Sequence, residues 1–405
     1  MNPLHLSGFG VKIKCRNLRS KSELEVTDGR DWGEAPSTLR FRPRRFPYSS
    51  IIVDGHSGYI SLQGLHWLSR NKVPVFILNF DGSMISSILP PAPIKADLRA
   101  AQIRACADPE KKFTIAKSLV QAKIARSLQV LDWLAQRYDI EREVRLTKKE
   151  ALQLGKARSV LDLRTVEGRV ALRYWQAFAM VLPESLDFQG RMTSSRANNA
   201  SDPVNSALNY AYGVLEGECR RAVNAVGLEP SVGFLHEFAD YQTKQSLVYD
   251  LEEPFRWIAD VAVVDAFESG IVDLPDFYFT GDDYRYRFET GAKRRFLDLL
   301  RERFNAGVKY NRRVLKWDTV IEQKASELGQ FLTGKSEILD FTRPFPNLQR
   351  SHEREVRAKI LELTCSEAKR YGIGKSALHY LRKNARDARP LTMYRKTRTR
   401  LVSPP

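Results

Sequence analysis

Residues 202–226 read DPVNSALNYAYGVLEGECRRAVNAV and predict a long helix in the middle of the chain. Asp202 followed by Pro203 is typical of a helix start, and Gly227 directly after the segment is typical of a helix end. One face of this helix is apolar, because hydrophobic residues recur at three- and four-residue steps: Val204, Leu208, Ala211 and Leu215. We therefore expect the helix to pack within a helical domain.

Helical periodicity continues on both sides of this segment. It runs from Ala96 to about Phe331, with further apolar stripes over residues 170–181 and 296–328. The segment from Asp187 to Ser201 is rich in Gly, Ser, Asn and Arg and has no periodicity, so a loop is expected there. The sequence thus predicts an all-α domain over residues 93–345.

The amino-terminal residues 1–92 follow a different pattern. Short β-rich runs are separated by turn residues, and Asp81-Gly82 is a typical hairpin signal. The proline-rich segment PPAP at residues 90–93 then marks a boundary, because such a segment is extended and stiff. The predicted fold class is α+β, with a small β-rich domain preceding the helical one.

The carboxyl-terminal residues 346–405 predict a third domain, which is basic. Residues 341–405 hold 16 Lys or Arg against five acidic residues, so most of the net charge of +17 lies there. Three short helices are expected; a capping box from Thr364 to Glu367 opens the second, and Gly372 ends it.

The last two of these helices match a helix-turn-helix, a motif that docks its second helix in the DNA major groove. We expect DNA contacts from polar residues of that second helix: Lys375, Ser376, His379, Arg382 and Lys383. A basic arm over residues 394–400 could follow the phosphate backbone. The alternative is a solvated helical hairpin without a ligand.

Composition narrows the class of protein further. A net charge of +17 favours a polyanionic partner, either nucleic acid or an acidic membrane face. No apolar run is long enough to span a membrane and no signal peptide is evident, so a soluble, cytoplasmic protein is expected. The four cysteines lie far apart without the paired spacing of a zinc site. The sequence contains no GxxxxGKS or GxxxxGKT motif, so nucleotide hydrolysis is disfavoured.

Acidic residues and one histidine from three distant segments could meet at one metal ion. Glu167 stands at the head of a predicted helix, His236 follows a short apolar run, and Asp250 and Glu253 are spaced so that both carboxylates can reach one point. Carboxylates bind Mg²⁺ or Mn²⁺, and a histidine ligand favours Mn²⁺. Such an ion suits phosphodiester chemistry, because it cancels charge on the phosphate oxygens.

Each of these residues also has a plainer interpretation. Glu167 could be an ordinary acidic residue in a first helical turn, and His236 a hydrogen-bonded core histidine. Asp250 and Glu253 could be a helix cap. These alternatives remain open from the residues alone.

A polar stripe lies beside the apolar face of the 202–226 helix. Asn205, Asn209 and Tyr212 are candidates for phosphate and sugar contacts, although such stripes are often only solvated. Arg256 and Lys309 are candidate phosphate clamps.

Taken together, these motifs resemble the metal-dependent integrases of CRISPR adaptation modules and their transposon-encoded relatives, the casposases. The resemblance covers about residues 1–345 and rests on the order and spacing of six motifs: LSGFG (6–10), IVDGHSG (52–58), VEGR (166–169), DPVNSALNYAY (202–212), GFLH (233–236) and SLVYDLEEPFR (246–256). The basic helix-turn-helix tail looks most like a casposase.

The resemblance implies that Glu167, His236 and Glu253 are the metal ligands and that Asp250 supports or shares the site. It implies Mn²⁺ or Mg²⁺ as cofactor and the joining of a DNA 3′-hydroxyl end to target DNA by transesterification. It also implies dimerisation through the β-rich domain and a homodimer or larger homo-oligomer on double-stranded DNA in a prokaryotic cytoplasm, near the nucleoid. A CRISPR-linked member would add a small adaptation protein as partner.

Three alternatives stay open. The chain could be a spacer-acquisition integrase, a metal nuclease of the same family that cuts without joining, or a non-catalytic regulator that binds DNA through its helix-turn-helix.

Overall fold

The structure is a computed structural model of the 405-residue chain. It describes all residues except 1–2, 19–20, 30–36, 56, 80, 94, 192–199, 237–244, 281–284, 347, 349–352, 387–400 and 402–405. The predicted basic arm at 394–400, most of the predicted loop at 187–201 and His56 lie outside the described residues.

The amino-terminal part consists of strands and one helix: β1 (Pro3–Leu6), β2 (Val11–Leu18), β3 (Lys21–Thr27), β4 (Thr38–Phe41), β5 (Ser50–Val53), β6 (Gly58–Ile60), α1 (Leu62–Arg70), β7 (Val75–Leu78) and β8 (Met84–Ile88). They form two four-stranded sheets, with the orders β1-β5-β7-β8 and β4-β3-β2-β6. In the first sheet β1, β5 and β7 are parallel, whereas β8 is antiparallel to β7. The predicted β-rich region and the hairpin at Asp81-Gly82 are confirmed.

The β7–β8 turn fixes this part of the molecule against the next one. Gly82 adopts a positive φ of 85°, and a β-carbon there would lie 2.5 Å from the backbone of Tyr210. The turn can therefore approach the helix that contains Tyr210 this closely only with glycine. Ile52, Phe76 and Leu78 of the first sheet extend the core of the helical part.

The helical part that follows contains nine helices among the described residues: α2 (Ala96–Ala107), α3 (Pro109–Leu134), α4 (Glu141–Ala151), α5 (Val160–Ala179), α6 (Pro203–Val226), α7 (Ser246–Glu252), α8 (Trp257–Glu268), α9 (Thr290–Asn305) and α10 (Trp317–Leu332). As the sequence predicts, Asp202 caps α6 by accepting the Asn205 N–H, and Gly227 ends it in the left-handed conformation. Most of α6 is buried, so it forms the centre of the helical part.

Two details of the sequence interpretation are wrong. The helical part is not all-α, because two hairpins interrupt it: β9 (Phe277–Thr280) with β10 (Arg285–Phe288), and β11 (Gly307–Tyr310) with β12 (Arg313–Lys316). Their four-residue strands are too short to give a clear period. Glu167 is also not in a first turn, because α5 begins at Val160, behind a capping box formed by Ser159 and Asp162.

The carboxyl-terminal helices are α11 (Glu353–Glu362), α12 (Cys365–Arg370) and α13 (Lys375–Arg386). The predicted capping box from Thr364 to Glu367 is confirmed. These helices bury a hydrophobic cluster of their own, centred on Val356, Ile360 and Leu378. The three predicted regions therefore each contain a core, while their exact boundaries remain a prediction. Within the part of the chain that the structure describes, every helix is too short or too polar to span a bilayer.

Candidate active site

Two glutamates from distant segments meet at one lysine. Glu167 lies in the middle of α5, and Glu253 follows α7 directly in a short 3₁₀ turn. Lys123 of α3 places its Nζ 2.5 Å from Glu167 Oε1 and 2.6 Å from Glu253 Oε2. The two carboxylates are thus held on either side of a single positive charge.

Asp250 fixes the histidine beside this pair. Its Oδ1 lies 2.7 Å from His236 Nδ1 and accepts the His236 backbone N–H at 2.9 Å. Its Oδ2 accepts the backbone N–H groups of Phe234 and Leu235. Asp250 therefore shapes the 234–236 turn from within α7, so the alternative that it caps a following helix does not apply.

Gly233 makes this close approach possible. A β-carbon at this position would lie 2.7 Å from Ser246 Cβ and 2.9 Å from Asp250 Oδ2. The turn could then no longer lie flat against α7, so the glycine of the Gly-Phe-Leu-His motif has a direct steric reason.

The imidazole is oriented towards Glu253. Because Nδ1 is bonded to Asp250, Nε2 is the nitrogen left for a ligand, and it lies 3.8 Å from Glu253 Oε1. This distance is too long for a hydrogen bond. A histidine whose second nitrogen is held by a carboxylate is the usual arrangement of a metal-binding histidine. We call Lys123, Glu167, His236, Asp250 and Glu253 the active-site cluster.

Neighbouring charges in this cluster shift the pKa values of Glu253 and His236 towards their ionised forms. Burial alone would raise the pKa of Glu253, but Arg256, Lys123 and His236 outweigh it and lower that pKa to about 2. Burial alone would lower the pKa of His236, but its hydrogen bond to Asp250 and the charges of Asp250 and Glu253 raise it. Glu253 is therefore ionised near neutral pH and available as a ligand.

The donor set fits a hard divalent cation. Two carboxylates and one oriented imidazole are suitable ligands for Mn²⁺ or Mg²⁺. Among the described residues, no three acidic, histidine or cysteine side chains are already gathered closely enough to count as a complete metal site. Lys123 stands between Glu167 and Glu253.

A pair of arginines adjoins the cluster. The guanidinium groups of Arg256 and Arg191 lie 4.8 Å and 5.2 Å from the centre of the Tyr212 ring. The Tyr212 hydroxyl donates to Asp260 at 2.5 Å. The Tyr174 hydroxyl donates to the same carboxylate at 2.7 Å, so Asp260 accepts a hydrogen bond from each of the two tyrosines.

The polar stripe of α6 holds these arginines in place. Arg191 donates to the side-chain oxygens of Asn205 and Asn209, at 3.1 Å and 2.8 Å. Asn205 and Tyr212 are buried, so the alternative of a merely solvated stripe is wrong for them. These side chains have protein partners, and the groups they orient are Arg191 and Arg256.

The remaining predicted contacts lie elsewhere. Lys309 is exposed on β11, away from the segments that form the active-site cluster. Lys375, Ser376, His379 and Lys383 are exposed on α13. Arg382 instead donates to the carbonyl groups of Ile360 and Leu363, so it fastens α13 to the end of α11.

Comparison with known proteins identifies the family. Residues 42–302 match the family model described as CRISPR associated protein Cas1. This span is more than half of the chain.

The chain belongs to the Cas1 family.

Relatives that match most of the chain agree with this membership. A CRISPR-associated endonuclease Cas1 of Methanospirillum hungatei is 28% identical over 84% of this chain and 99% of its own length. One from Archaeoglobus fulgidus is 30% identical over 72% of this chain and 88% of its own length. The predicted enzyme class, a nuclease or integrase of this family, is thereby confirmed.

A solved structure titled "Casposase bound to integration product" is also similar to this chain. It has a TM-score of 0.78 and 36% identity, and the match covers 89% of this chain and 99% of that one. A Cas1 protein from Thermotoga maritima shares the fold, with a TM-score of 0.65 and 16% identity. The predicted resemblance to CRISPR integrases and casposases and the α+β fold class are confirmed.

Sequence reasoning missed four residues of this Cas1 site. Lys123, Tyr174, Arg191 and Asp260 belong to no motif used above, although Arg191 stands in the predicted loop before α6. Lys123 faces α5 only because α3 packs along that helix, and no local pattern reveals that contact. The available signal was a charged residue within an apolar helical segment, such as Lys123 in α3 or Asp260 in α8.

Proposed function

We propose that this Cas1 protein joins DNA 3′-hydroxyl ends to target DNA by transesterification, with Mn²⁺ or Mg²⁺ held by Glu167, His236 and Glu253. The observation that supports this most is the convergence of two carboxylates and an oriented imidazole from three distant segments. When bound, the ion would neutralise charge on the phosphoryl oxygens. Joining needs no ATP, because one phosphodiester replaces another.

The surrounding residues have separate roles in this proposal. Asp250 positions His236 through Nδ1 and keeps Nε2 available. Arg191 and Arg256, stacked on Tyr212, bind phosphate oxygens of the reacting strands, because a guanidinium matches phosphate geometry. Asn205 and Asn209 act through Arg191, and Lys309 contacts DNA away from the cluster.

We infer a casposase-like role rather than spacer acquisition. The support is the 36% identity and the TM-score of 0.78 to a casposase bound to its integration product, together with the three carboxyl-terminal helices of the predicted basic helix-turn-helix. In this proposal α13 reads the DNA ends through Lys375, Ser376, His379 and Lys383, while Arg382 holds α13 in place. The protein would act as a homodimer or larger homo-oligomer on double-stranded DNA, with the β-rich domain as the dimer contact.

An endonuclease that cuts without joining is the second candidate, since the curated relatives carry the name endonuclease. Products distinguish the two. A labelled duplex with a 3′-hydroxyl end and a plasmid target would give target-linked products with an integrase and only fragments with a nuclease. A 3′-dideoxy end should abolish linking.

Glu167→Ala tests the metal assignment in this assay. We expect linking in Mn²⁺ to be abolished while DNA binding stays within about twofold, since several kcal/mol of charge stabilisation are lost only in the reaction. Glu184→Ala, at an exposed position, is the matched control and should link like the wild type. Linking at the normal rate by Glu167→Ala would remove Glu167 from the site.

A further inference from the structure

We propose that Lys123 is the resident counter-cation of the metal site, which holds Glu167 and Glu253 together until a divalent ion displaces it. This inference rests on the proposed function, because it assumes that the two glutamates are metal ligands. It assigns a role to Lys123: the lysine sets how tightly the site binds metal.

The geometry makes the ammonium and the metal competitors. Lys123 Nζ contacts an oxygen of Glu167 at 2.5 Å and an oxygen of Glu253 at 2.6 Å. A divalent ion that uses both carboxylates takes oxygen ligands at about 2.0–2.2 Å. An ion that takes Glu167 Oε1 and Glu253 Oε2 would occupy the position of the ammonium, so in this proposal Lys123 withdraws as the ion enters.

The cluster needs a cation when no metal is bound. The Glu253 side chain is only 4% exposed, and a buried carboxylate without compensating charge is strongly destabilising. Two carboxylates that share a small space also repel each other. Lys123 removes both penalties, and the charges of Glu253 and Glu167 in turn raise the pKa of Lys123 above the value that burial alone would give.

No other described cation performs this task. Among the described residues, Arg256 forms ion pairs with Glu253 at 3.4 Å and with Glu252 at 3.6 Å, but not with Glu167. His236 faces Glu253 and Asp250 only. Among the residues with described ion pairs, Lys123 is thus the one cation that bridges both glutamates.

A small cavity lies beside the site. Lys123, Arg126, Tyr174, Trp175, Tyr212 and Arg256 line a small cavity of about 50 Å³ next to Glu253. The Lys123 side chain is 20% exposed, so it is not locked in a closed core. The cavity and this partial exposure leave the Lys123 side chain some room to shift.

Lys123→Met tests the competition, because methionine keeps the length of the side chain and removes its charge. We expect the Mn²⁺ affinity of the full-length protein, measured by electron paramagnetic resonance of free Mn²⁺, to rise at least ~10-fold, since the work of displacing the ammonium disappears. We expect the Tm in EDTA to fall and saturating Mn²⁺ to restore it. A variant that folds only with Mn²⁺ present would also support the proposal.

Two further variants make the result specific. Lys111→Met removes an exposed charge from the same helix and should bind Mn²⁺ like the wild type. Lys123→Arg keeps the cation and should bind Mn²⁺ no more tightly than the wild type. An unchanged or weaker Mn²⁺ affinity in Lys123→Met would overturn the role assigned to Lys123.

The failure of the proposed function gives a different result. The metal-ligand assignment itself is wrong if the wild type does not bind Mn²⁺ saturably, or if Glu167→Gln leaves that binding intact. If Glu167→Gln abolishes binding and Lys123→Met leaves it unchanged, only the role of Lys123 is wrong.

Discussion

Two buried clusters of charge in this protein use the same kinds of side chain and differ in how completely they are closed. In the first, which we call the interface cluster, Asp54 contacts His5 Nε2 and Lys293 Nζ, each at 3.0 Å. Asp54 is fully buried, and the side chains of His5 and Lys293 are 6% and 8% exposed. In the active-site cluster, by contrast, the His236 side chain is 39% exposed.

The two clusters also differ in their number of carboxylates. The interface cluster has one carboxylate between two potential cations and joins the end of β5 to α9. The active-site cluster has three carboxylates around one lysine and one histidine. A cluster closed to solvent stabilises the fold, whereas a cluster with several carboxylates that is open to solvent is suited to bind a cation from solvent.

The largest effect should come from removing the lysine of the interface cluster. Lys293→Met leaves Asp54 buried without its lysine partner, so we expect the free energy of unfolding to fall by about 3–5 kcal/mol. The measurement is urea denaturation with and without Mn²⁺.

Denaturation with and without Mn²⁺ distinguishes Lys293→Met from Lys123→Met. It should leave the loss in Lys293→Met unchanged, whereas it should recover the loss in Lys123→Met. Recovery of Lys293→Met by Mn²⁺ would erase the distinction between the two clusters.

A smaller effect is expected in the pH dependence of stability. Burial alone would raise the pKa of Asp54, but His5 and Lys293 outweigh it and hold that pKa well below its usual range. Because the folded-state pKa lies below the unfolded value of about 3.9, the stabilisation is complete above that value and is lost as the pH falls towards the folded-state pKa.

Asp54→Asn should therefore be less stable at pH 7 and should lose less stability than the wild type between about pH 5 and pH 2. Denaturation at a series of pH values checks this. Asp139→Asn, at an exposed position, is the control and should follow the wild-type curve. Parallel curves for Asp54→Asn and the wild type would show that the interface cluster does not contribute to acid sensitivity.

The smallest effect is expected from exposed charges, in the salt dependence of DNA binding. Lys375 and Lys383 are exposed on α13, so replacing both by glutamine should reduce the slope of log affinity against log salt by about 2, one unit per phosphate contact. Fluorescence anisotropy with a duplex at several salt concentrations measures this slope. Arg142→Gln combined with Lys149→Gln on α4 is the matched control, and an equal change there would indicate only a general charge effect.

The sequence predicted the parts of this molecule that local patterns encode. The start and end of α6, the Thr364–Glu367 capping box and the Asp81-Gly82 hairpin depend on residues close together in the chain. The grouping of Glu167, His236 and Glu253 came from motif order, and the structure does bring their side chains to one place.

Other features depend on tertiary packing and were not predicted. Lys123 reaches Glu167 because α3 lies along α5, and Asp260 receives two tyrosine hydroxyl groups because α8 faces both α5 and α6. The burial of Asn205 and Tyr212 likewise follows from the position of α6 in the centre of the helical part. The hairpins β9–β10 and β11–β12 are too short for a periodic signal.

Anomalous diffraction from crystals grown with Mn²⁺ tests the central claim most directly. We expect one strong peak contacted by Glu167, His236 Nε2 and Glu253, with Lys123 Nζ withdrawn from the position between the two carboxylates. A peak elsewhere, or none at saturating Mn²⁺ with Lys123 still between Glu167 and Glu253, would contradict the assignment of this cluster as the metal site.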